Sequence, residues 1–286
     1  MRPPAAIPIF LLLLAVARAS TGNAAAGDEK EFWRDWIRCG LGRRTSHLKC
    51  DASIQHDLRT RLQPERAIEP NKCKLARKGG GTGRSEPLRI LDVGSGPLST
   101  LGNQCGGQPV QLVPTDLLAP AYNRILKGLN VTPPVPTLYA DAEHLEARFD
   151  ASSFDLVHTA NALDHAADPP KAIRSMLHVV KPGRAVYIAT RMNESTTMRH
   201  QGMHRTDAFV DARGHFMLIE YTRDGSQYRP ATPRDLTEEL RGTADVVARV
   251  EAVWRADGKG VGHARDCPSA KDARACRLVL VITRRA

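Results

Sequence analysis

Short runs rich in β-branched and aromatic residues alternate with amphipathic stretches from Leu88 onward. The segments APAYNRILKGL and PPKAIRSMLHVV, which lie between such runs, have the apolar spacing of helices. Parallel strands need long crossover connections, and helices supply them. This part of the chain is therefore predicted to form an α/β fold, a mostly parallel sheet with helices on both faces. The strand candidates are RILDV, VQLVPTD, PTLYAD, FDLVHTA and RAVYIAT.

The remaining segments divide the chain around this core. Residues 20–78 carry aromatic residues at helical spacing and are predicted to form a small helical lead-in, followed by a Gly-rich linker over residues 79–87. The main domain is expected over residues 88–286, with an inserted hairpin at about residues 196–230. Two final strand candidates, VVARVEAVW and RLVLVIT, have no helical pattern between them.

The first residues are typical of a secretory signal. Arg2 precedes an apolar run from Ala5 to Ala17, and small residues follow at the spacing of a cleavage site. The run is too short for a comfortable bilayer span of about 20 residues, and an uncleaved anchor is the alternative. We therefore expect residues 1–19 to direct the protein into the secretory pathway. If the segment is not a signal, the protein is cytoplasmic.

Composition and charge exclude some classes of protein and indicate which partners to expect. With 25% charged and 42% hydrophobic residues, the chain is globular rather than disordered or collagen-like. The formal net charge of +10 fits an Arg-rich solvated surface. No RNA-binding signature accompanies it, so no nucleic-acid partner is expected. Membrane contact is expected only through an uncleaved anchor.

All six cysteines follow the expected signal segment, which fits an exported protein with disulfides. Their clustering suggests pairing within the N-terminal segment and between Cys267 and Cys276. Six cysteines nevertheless allow about fifteen connectivities, and spacing does not choose among them. No CxxC pair is present, so no metal site is expected.

Three strand candidates end in a glycine turn or a carboxylate. The first runs through Asp92 into Gly94 and Gly96 and is expected to lead into a helix, so that backbone N–H groups approach a ligand. The second ends at Asp116, where a carboxylate can accept two ribose hydroxyls, and the third ends at Asp141. Each feature alone can be a tight turn or a helix N-cap. Together, at the carboxyl edge of a parallel sheet, they indicate a ligand site.

These motifs resemble class I S-adenosylmethionine-dependent methyltransferases, and within them the type 11 branch. The resemblance covers about Leu88 to Leu280. It implies a Rossmann-like sheet of about seven strands with an antiparallel last strand, and S-adenosyl-L-methionine as the cofactor. Leu98 departs from the pattern, because the family's turn usually continues to a third glycine. The matching pieces are LDVGSGP, TDLL, YADAEHL, FDLVHTANALDHAADPPKAI and VVKPGRAVYI.

The resemblance also implies which residues bind the cofactor. They lie in the first strand and the glycine turn after it, and at the ends of the next three strands. At the end of the third strand, either the carboxylate of Asp141 or the backbone N–H of Ala142 is implied to meet the adenine edge. After the fourth strand, Asn161 is implied to line the cofactor pocket. The segment after the fifth strand does not align, so the methyl acceptor is not identified. The implied cofactor-binding residues are Asp92, Gly94, Ser95, Gly96, Asp116, Leu117, Asp141, Ala142 and Asn161.

Asp164 and His165 lie just beyond the fourth strand, on the side where the methyl group is transferred, and are the catalytic candidates. His165 can take a proton from an attacking O–H or N–H group. Alternatively, Asp164 caps the next helix and His165 packs on the cofactor, because transfer from a sulfonium depends mainly on proximity and alignment. Three other histidines are interpreted as surface or hairpin residues: His200, His204 and His215.

Three functions fit these features. The leading one is a methyltransferase of the secretory pathway that acts on a small-molecule acceptor. A nicotinamide-dependent reductase uses a similar glycine turn, but the absent third glycine and the paired final strands count against it. The third is a binding module that keeps the fold without catalysis.

Signal cleavage gives a direct prediction. The mature protein should begin at or near Ser20 and contain at least one disulfide. N-terminal sequencing of the secreted or luminal protein and its mass shift on reduction measure both. A protein that begins at Met1 with six free thiols would contradict export.

Overall fold

The computed structural model describes residues 27–78, 87–200, 202–252 and 276–285. The expected signal segment, linker residues 79–86 and the predicted Cys267–Cys276 pair lie outside the described residues and side chains. Within the described ranges, no helix has both the length and the apolar character that a membrane crossing requires.

Helices and strands alternate over most of the described chain. The strands are β1 Leu88–Val93, β2 Gln104–Cys105, β3 Gln108–Asp116, β4 Leu138–Tyr139, β5 Phe154–Ala160, β6 Val180–Arg191, β7 Thr206–Val210, β8 Phe216–Asp224, β9 Gln227–Pro230, β10 Arg234–Asp235, β11 Ala244–Ala252 and β12 Cys276–Arg284. The α-helices are α1 (residues 27–40), α2 Ala52–Arg61, α3 Pro70–Arg77, α4 Ala119–Leu129, α5 Pro169–Val179, α6 Glu194–Thr197 and α7 Leu236–Leu240. Two 3₁₀ helices span Ala142–Ala147 and Leu163–His165.

Eight strands form a central, mostly parallel sheet in the order β11, β12, β6, β5, β1, β3, with β2 and β4 both paired to β3. Strand β1 is parallel to β3 and β5, and β5 is parallel to β6. Strand β12 is antiparallel to both of its neighbours, so β11 runs parallel to β6. The Rossmann-like sheet with an antiparallel last strand is therefore confirmed. The short β2, antiparallel to β3, is an eighth strand that the sequence did not predict.

Both faces of the central sheet are covered, as the sequence predicts. Leu91 and Val157 belong to one buried cluster with Ile173 of α5. Their chain neighbours Ile90 and Leu156 belong to the cluster on the other face, which includes side chains of α3. Because successive strand residues point to opposite faces, continuous apolar strands bury both sides of the sheet.

The segment after β1 differs from the expectation of a helix, since residues 94–103 form turns. The Ser99 hydroxyl donates to Asp92 Oδ2 at 2.5 Å and accepts from the N–H of Leu101 at 3.0 Å. Such local side-chain bonds compete with helical hydrogen bonding. Gly102 is also packed so closely on backbone that no Cβ would fit. The ligand edge therefore has no helix N-terminus at this turn.

The lead-in packs on the central fold through a third buried cluster. Trp36 and Ile37 of α1 contact Leu58 of α2 and Leu126 of α4 within this cluster. Helices α1 and α2 thus share one apolar interface with the helix that follows β3.

A second sheet of four antiparallel strands lies between α6 and α7 in the chain. It has the order β10, β8, β7, with β9 also paired to β8. The predicted hairpin corresponds to the β8–β9 pair. Phe216 and Leu218 of β8 are buried in the same cluster as α5, so this insert packs directly on the central fold.

Two cysteine pairs lie close enough for disulfide bonds. Cys39 of α1 lies beside Cys50, with Cα atoms 5.1 Å apart, as the clustering suggested. Cys73 of α3 lies beside Cys105 of β2, 5.5 Å away between Cα atoms, so its partner lies outside the N-terminal segment. The physical reason is that α3 packs on the sheet face next to β2.

We expect both pairs to be oxidised when the protein is in an oxidising compartment, and peptide mapping without reduction tests the pairing. Replacing Cys73 and Cys105 together by serine should lower the free energy of unfolding by about 2–5 kcal/mol, because a closed loop of this length restricts the unfolded chain. Chemical denaturation measures the loss. A map that links Cys73 to Cys39 or Cys50 would contradict the pairing.

Candidate functional site

The glycine turn after β1 lies against the carboxylate at the end of β3. Gly94 and Gly96 have φ angles of 67° and 65°, in the left-handed region that favours glycine. The N–H of Gly96 donates to Asp116 Oδ2 at 3.1 Å, and the N–H of Leu118 donates to Asp116 Oδ1 at 2.8 Å. The two features that sequence reasoning singled out at this edge are therefore in direct contact.

The ionised form of Asp116 is disfavoured by its burial. Burial raises its pKa to about 6, and the nearby Glu29 adds to the effect, although the N–H groups of Leu118 and Gly96 oppose it. The charge of His165 also stabilises the ionised form. Each carboxylate oxygen retains acceptor capacity, so hydroxyl groups of a ligand would relieve part of the cost of desolvation.

Asp92 and Ser95 point into the protein. Asp92 is 2% exposed, and its oxygens contact Nδ1 of His158 at 2.7 Å and the Ser99 hydroxyl. The Ser95 hydroxyl donates to the carbonyl of Gly96 at 3.1 Å. These contacts hold the turn in place from within the protein. Contact of either residue with a cofactor stays a prediction.

The third predicted strand is shorter than expected, because β4 covers only Leu138–Tyr139. Asp141 lies two residues beyond β4, and its Oδ1 accepts the N–H of Glu143 at 2.9 Å, which makes it the N-cap of a 3₁₀ helix. Its other oxygen contacts His144 Nδ1 at 3.0 Å. Leu117 is 53% exposed at the same edge, and Ala142 is half-buried. The capping role is observed, and an adenine contact stays a prediction.

Asn161 directly follows β5, the strand next to β1 in the central sheet. It has a φ of 50°, and its N–H donates to the carbonyl of Ala189 at 2.8 Å. The next residue, Ala162, packs so closely on the glycine turn that a Cβ added at Gly94 would lie 2.4 Å from the Ala162 Cβ. The turns after β1 and β5 therefore meet at Gly94.

Beyond this contact, three polar side chains converge. Nδ1 of His204 lies 2.6 Å from Asp164 Oδ2 and 3.3 Å from His165 Nε2. His165 Nε2 is 3.6 Å from the same carboxylate oxygen. Asp164 and His165 come from the 3₁₀ helix after β5, whereas His204 comes from the segment before β7. We call these three residues the acceptor-side cluster.

The cluster carries strongly interacting charges. Burial alone would raise the pKa of Asp164, but the hydrogen bond from His204 and the charges of both imidazoles keep it below its usual value. Burial would lower the pKa of His204, but the hydrogen bond and charge of Asp164 raise it. Glu194 is a second buried carboxylate nearby, and burial raises its pKa.

The structure corrects two interpretations at this place. Asp164 does not cap the next helix, because Asp168 accepts the N–H of Lys171 at the start of α5. His204 is not a surface residue, because it is part of the acceptor-side cluster. His200 and His215 do belong to the insert and contact Ser195 and Asp235, respectively. Sequence reasoning named His204 only as a surface or hairpin residue, because it lies 40 positions from Asp164 and follows no period.

Helix α1 supplies residues that sequence reasoning assigned only to packing. A Cβ added at Gly96 would lie 2.8 Å from the ring of Trp33, so this ring covers the glycine turn. Trp33 Nε1 donates to Glu29 Oε1 at 2.7 Å. The ring also meets Tyr122 of α4 edge-on, with 6.3 Å between ring centroids. One wall of the candidate site therefore comes from the lead-in.

Comparison with known proteins places these features in a family context. The family model of a methyltransferase domain matches residues 54–241. A curated relative is the ubiquinone/menaquinone biosynthesis C-methyltransferase UbiE of Idiomarina loihiensis, 32% identical over 106 residues. That match covers 35% of this chain and 41% of the relative, so it spans about two fifths of the relative's length.

Two solved structures also resemble this chain at low sequence identity. A chain of the Haloferax volcanii complex with the Trm112 methyltransferase activator matches with 17% identity and a TM-score of 0.43, over 76% of this chain and 89% of that one. An S-adenosylmethionine-dependent methyltransferase from Mesorhizobium loti matches with 18% identity and a TM-score of 0.39, over 69% and 91%.

The contact of Gly94 with Ala162 gives a mutational prediction. Gly94→Ala should lower the free energy of unfolding by about 2–5 kcal/mol, since the new Cβ meets Ala162 and the backbone is left-handed. Chemical denaturation measures the loss. The control is Gly128→Ala in α4, where a Cβ meets nothing within 4 Å and the helix should gain up to about 1 kcal/mol. Equal effects of the two substitutions would contradict the tight approach of the turns.

Proposed function

The chain belongs to the methyltransferase-domain family, and from that premise we propose that it transfers the methyl group of S-adenosylmethionine to a small-molecule acceptor bound at the acceptor-side cluster. The enzyme class and the cofactor follow from the family. The observation that carries the proposal is the Asp116 carboxylate, which lies against the glycine turn at the carboxyl edge of the sheet.

The residues at this edge fit the cofactor. Asp116 would accept the ribose hydroxyls with the capacity that the N–H groups of Gly96 and Leu118 leave free. Gly94 and Gly96 shape the turn through their left-handed backbone, and their lack of a Cβ lets Ala162 and the Trp33 ring close on it. The methionine part is proposed to bind beside this turn. Exposed Leu117 offers an apolar surface to the adenine ring.

The rest of the implied set would complete the pocket. Asp141 or the N–H of Ala142 is proposed to meet the adenine edge, and Asn161 to line the side toward the acceptor. Asp92 and Ser95 would contribute through the shape of the turn, because their side chains already have partners within the protein.

Catalysis by this site would rest mainly on positioning. The bound cofactor supplies an electrophilic methyl group on a sulfonium centre. Asp164 and His165 would hold the acceptor in line with that group, on the far side of the Gly94–Ala162 contact. Such alignment can account for much of a rate enhancement. We propose these two residues as the ones that contact the acceptor.

The alternatives make different predictions. A nicotinamide-dependent reductase would bind NAD, and the family match together with the antiparallel β12 favours methyl transfer over it. A binding module without catalysis would bind S-adenosylmethionine and form no S-adenosylhomocysteine with any acceptor. Calorimetry with both nucleotides, followed by an acceptor screen, separates the three.

We also propose that the protein acts in the secretory pathway. The support is the apolar segment before Ser20 and the two close cysteine pairs, since disulfides persist in oxidising compartments.

Asp116 provides the test of the cofactor site. Asp116→Asn should weaken binding of S-adenosylhomocysteine by on the order of 2–4 kcal/mol, because one acceptor oxygen becomes a donor. Titration calorimetry at pH 8 measures it. The control is Asp150→Asn, which removes an exposed carboxylate away from the turn. Unchanged affinity in Asp116→Asn would contradict the site.

The same variant should show a pH-dependent change in stability. Because the folded pKa of Asp116 is raised to about 6, its contribution to stability is fully present below the unfolded value of 3.8 and is lost as the pH rises through 6. The free energy of unfolding of Asp116→Asn, relative to that of the wild type, should therefore be higher at pH 8 than at pH 4 by on the order of 2 kcal/mol. Thermal unfolding at both pH values measures this shift.

A further inference from the structure

In the acceptor-side cluster, three polar atoms converge, whereas a hydrogen-bonded pair needs only two. Asp164 Oδ2, His165 Nε2 and His204 Nδ1 face one another with separations of 2.6, 3.3 and 3.6 Å. The two imidazole rings meet edge-on, with 4.6 Å between centroids and an interplanar angle of 70°. Two ring nitrogens thus point to the same place beside one carboxylate oxygen.

From this convergence we propose that Asp164, His165 and His204 bind a divalent transition-metal ion. Ligand atoms at about 2.0–2.1 Å from a tetrahedral ion lie about 3.3–3.4 Å apart. The two separations that involve His165 are close to that value. The 2.6 Å contact between Asp164 and His204 is a hydrogen bond, which the ion would replace by displacing the proton from His204 Nδ1.

The charges around the cluster also suit a cation. The Asp164 side chain is 6% exposed and that of Glu194 is 11% exposed, so both carboxylates are largely buried. Arg191 is 3.4 Å from Glu194 and offsets that carboxylate. Buried charge is costly without compensation. With both imidazoles neutral, as metal ligands are, a dication would compensate Asp164.

The ligand types narrow the choice of ion. Imidazole nitrogens suit Zn²⁺, Fe²⁺, Co²⁺ and Ni²⁺, whereas Mg²⁺ and Ca²⁺ prefer oxygen ligands. Two histidines and one carboxylate also leave coordination positions open for another molecule. The imidazoles are 18% and 21% exposed, so a ligand can reach them from the site.

This inference rests on the proposed function, in which the acceptor binds at the same cluster. With the ion bound, Asp164 and His165 would act on the acceptor through the ion, whose open position would hold an oxygen atom of the acceptor and polarise its O–H bond. In the transfer, the O–H proton passes to solvent while the oxygen forms a bond to the methyl carbon. The carbon–sulfur bond breaks, and S-adenosylhomocysteine leaves. The inferred substrate class is therefore a small molecule with a hydroxyl or enol group.

Metal binding to the untagged full-length protein tests the site without an acceptor. After removal of metals with a chelator, titration with Zn²⁺ should give one equivalent at the cluster. His165→Gln and His204→Gln should each weaken that binding at least 30-fold. The matched control is His215→Gln, in the other group of one histidine and two carboxylates, His215, Asp235 and Glu238. There Arg213 already binds Asp235 at 2.9 Å, so this variant should bind Zn²⁺ like the wild type.

Crystals of the wild type soaked in Zn²⁺ provide a measurement that needs no variant. An anomalous peak within bonding distance of the three atoms would support the site. No peak there, binding unchanged in both cluster variants, or binding lost in His215→Gln would overturn it.

Cofactor binding is measured separately by titrating S-adenosylhomocysteine into the metal-free protein. Failure of that titration would overturn the proposed function, whereas failure of Zn²⁺ alone overturns only the metal site.

Discussion

The contact between the turns after β1 and β5 sets the geometry of the whole site. Only glycine fits at position 94, because Ala162 occupies the place of its Cβ and the backbone is left-handed. Asn161, one residue earlier, is left-handed as well. The contact brings the cofactor edge and the acceptor-side cluster within a few residues of one another. In the proposed function, this packing of two turns would align the two reactants, which is what methyl transfer needs most.

Buried polar contacts beneath the turns hold them in place. Asp92 of β1 contacts His158 of β5 at 2.7 Å, and the two residues are register partners across the strands. His158 stacks on Tyr187 of β6, with an interplanar angle of 11°. Removing one member of such a buried pair leaves the other without compensation. Asp92 thus links β1 to β5 and to the segment after the glycine turn through its two buried contacts.

Sequence reasoning succeeded where the signal was local. The apolar runs that predict strands and the turn at Gly94 lie within single short segments, and the antiparallel last strand followed from the family resemblance. It failed where residues from distant segments meet. His204 and Trp33 reach the site from the insert and the lead-in, and Cys73 pairs with a strand that was not predicted. The helix expected after the turn was also wrong, because Ser99 bonds locally to Asp92 and Leu101.

The position of Trp33 changes how the lead-in should be regarded. Helix α1 lies outside residues 54–241, the part that the family model matches, yet its Trp33 ring covers Gly96 of the motif that typifies the family. The ring is held by Glu29 and by Tyr122, and Arg61 of α2 lies 5.0 Å from the ring of Trp36 one turn further along α1. Cation–π and apolar contacts of this kind fix the helix relative to the sheet. One wall of the candidate site therefore comes from a helix outside the residues that the family model matches, and the position of that wall depends on the contacts of α1 with α2 and α4.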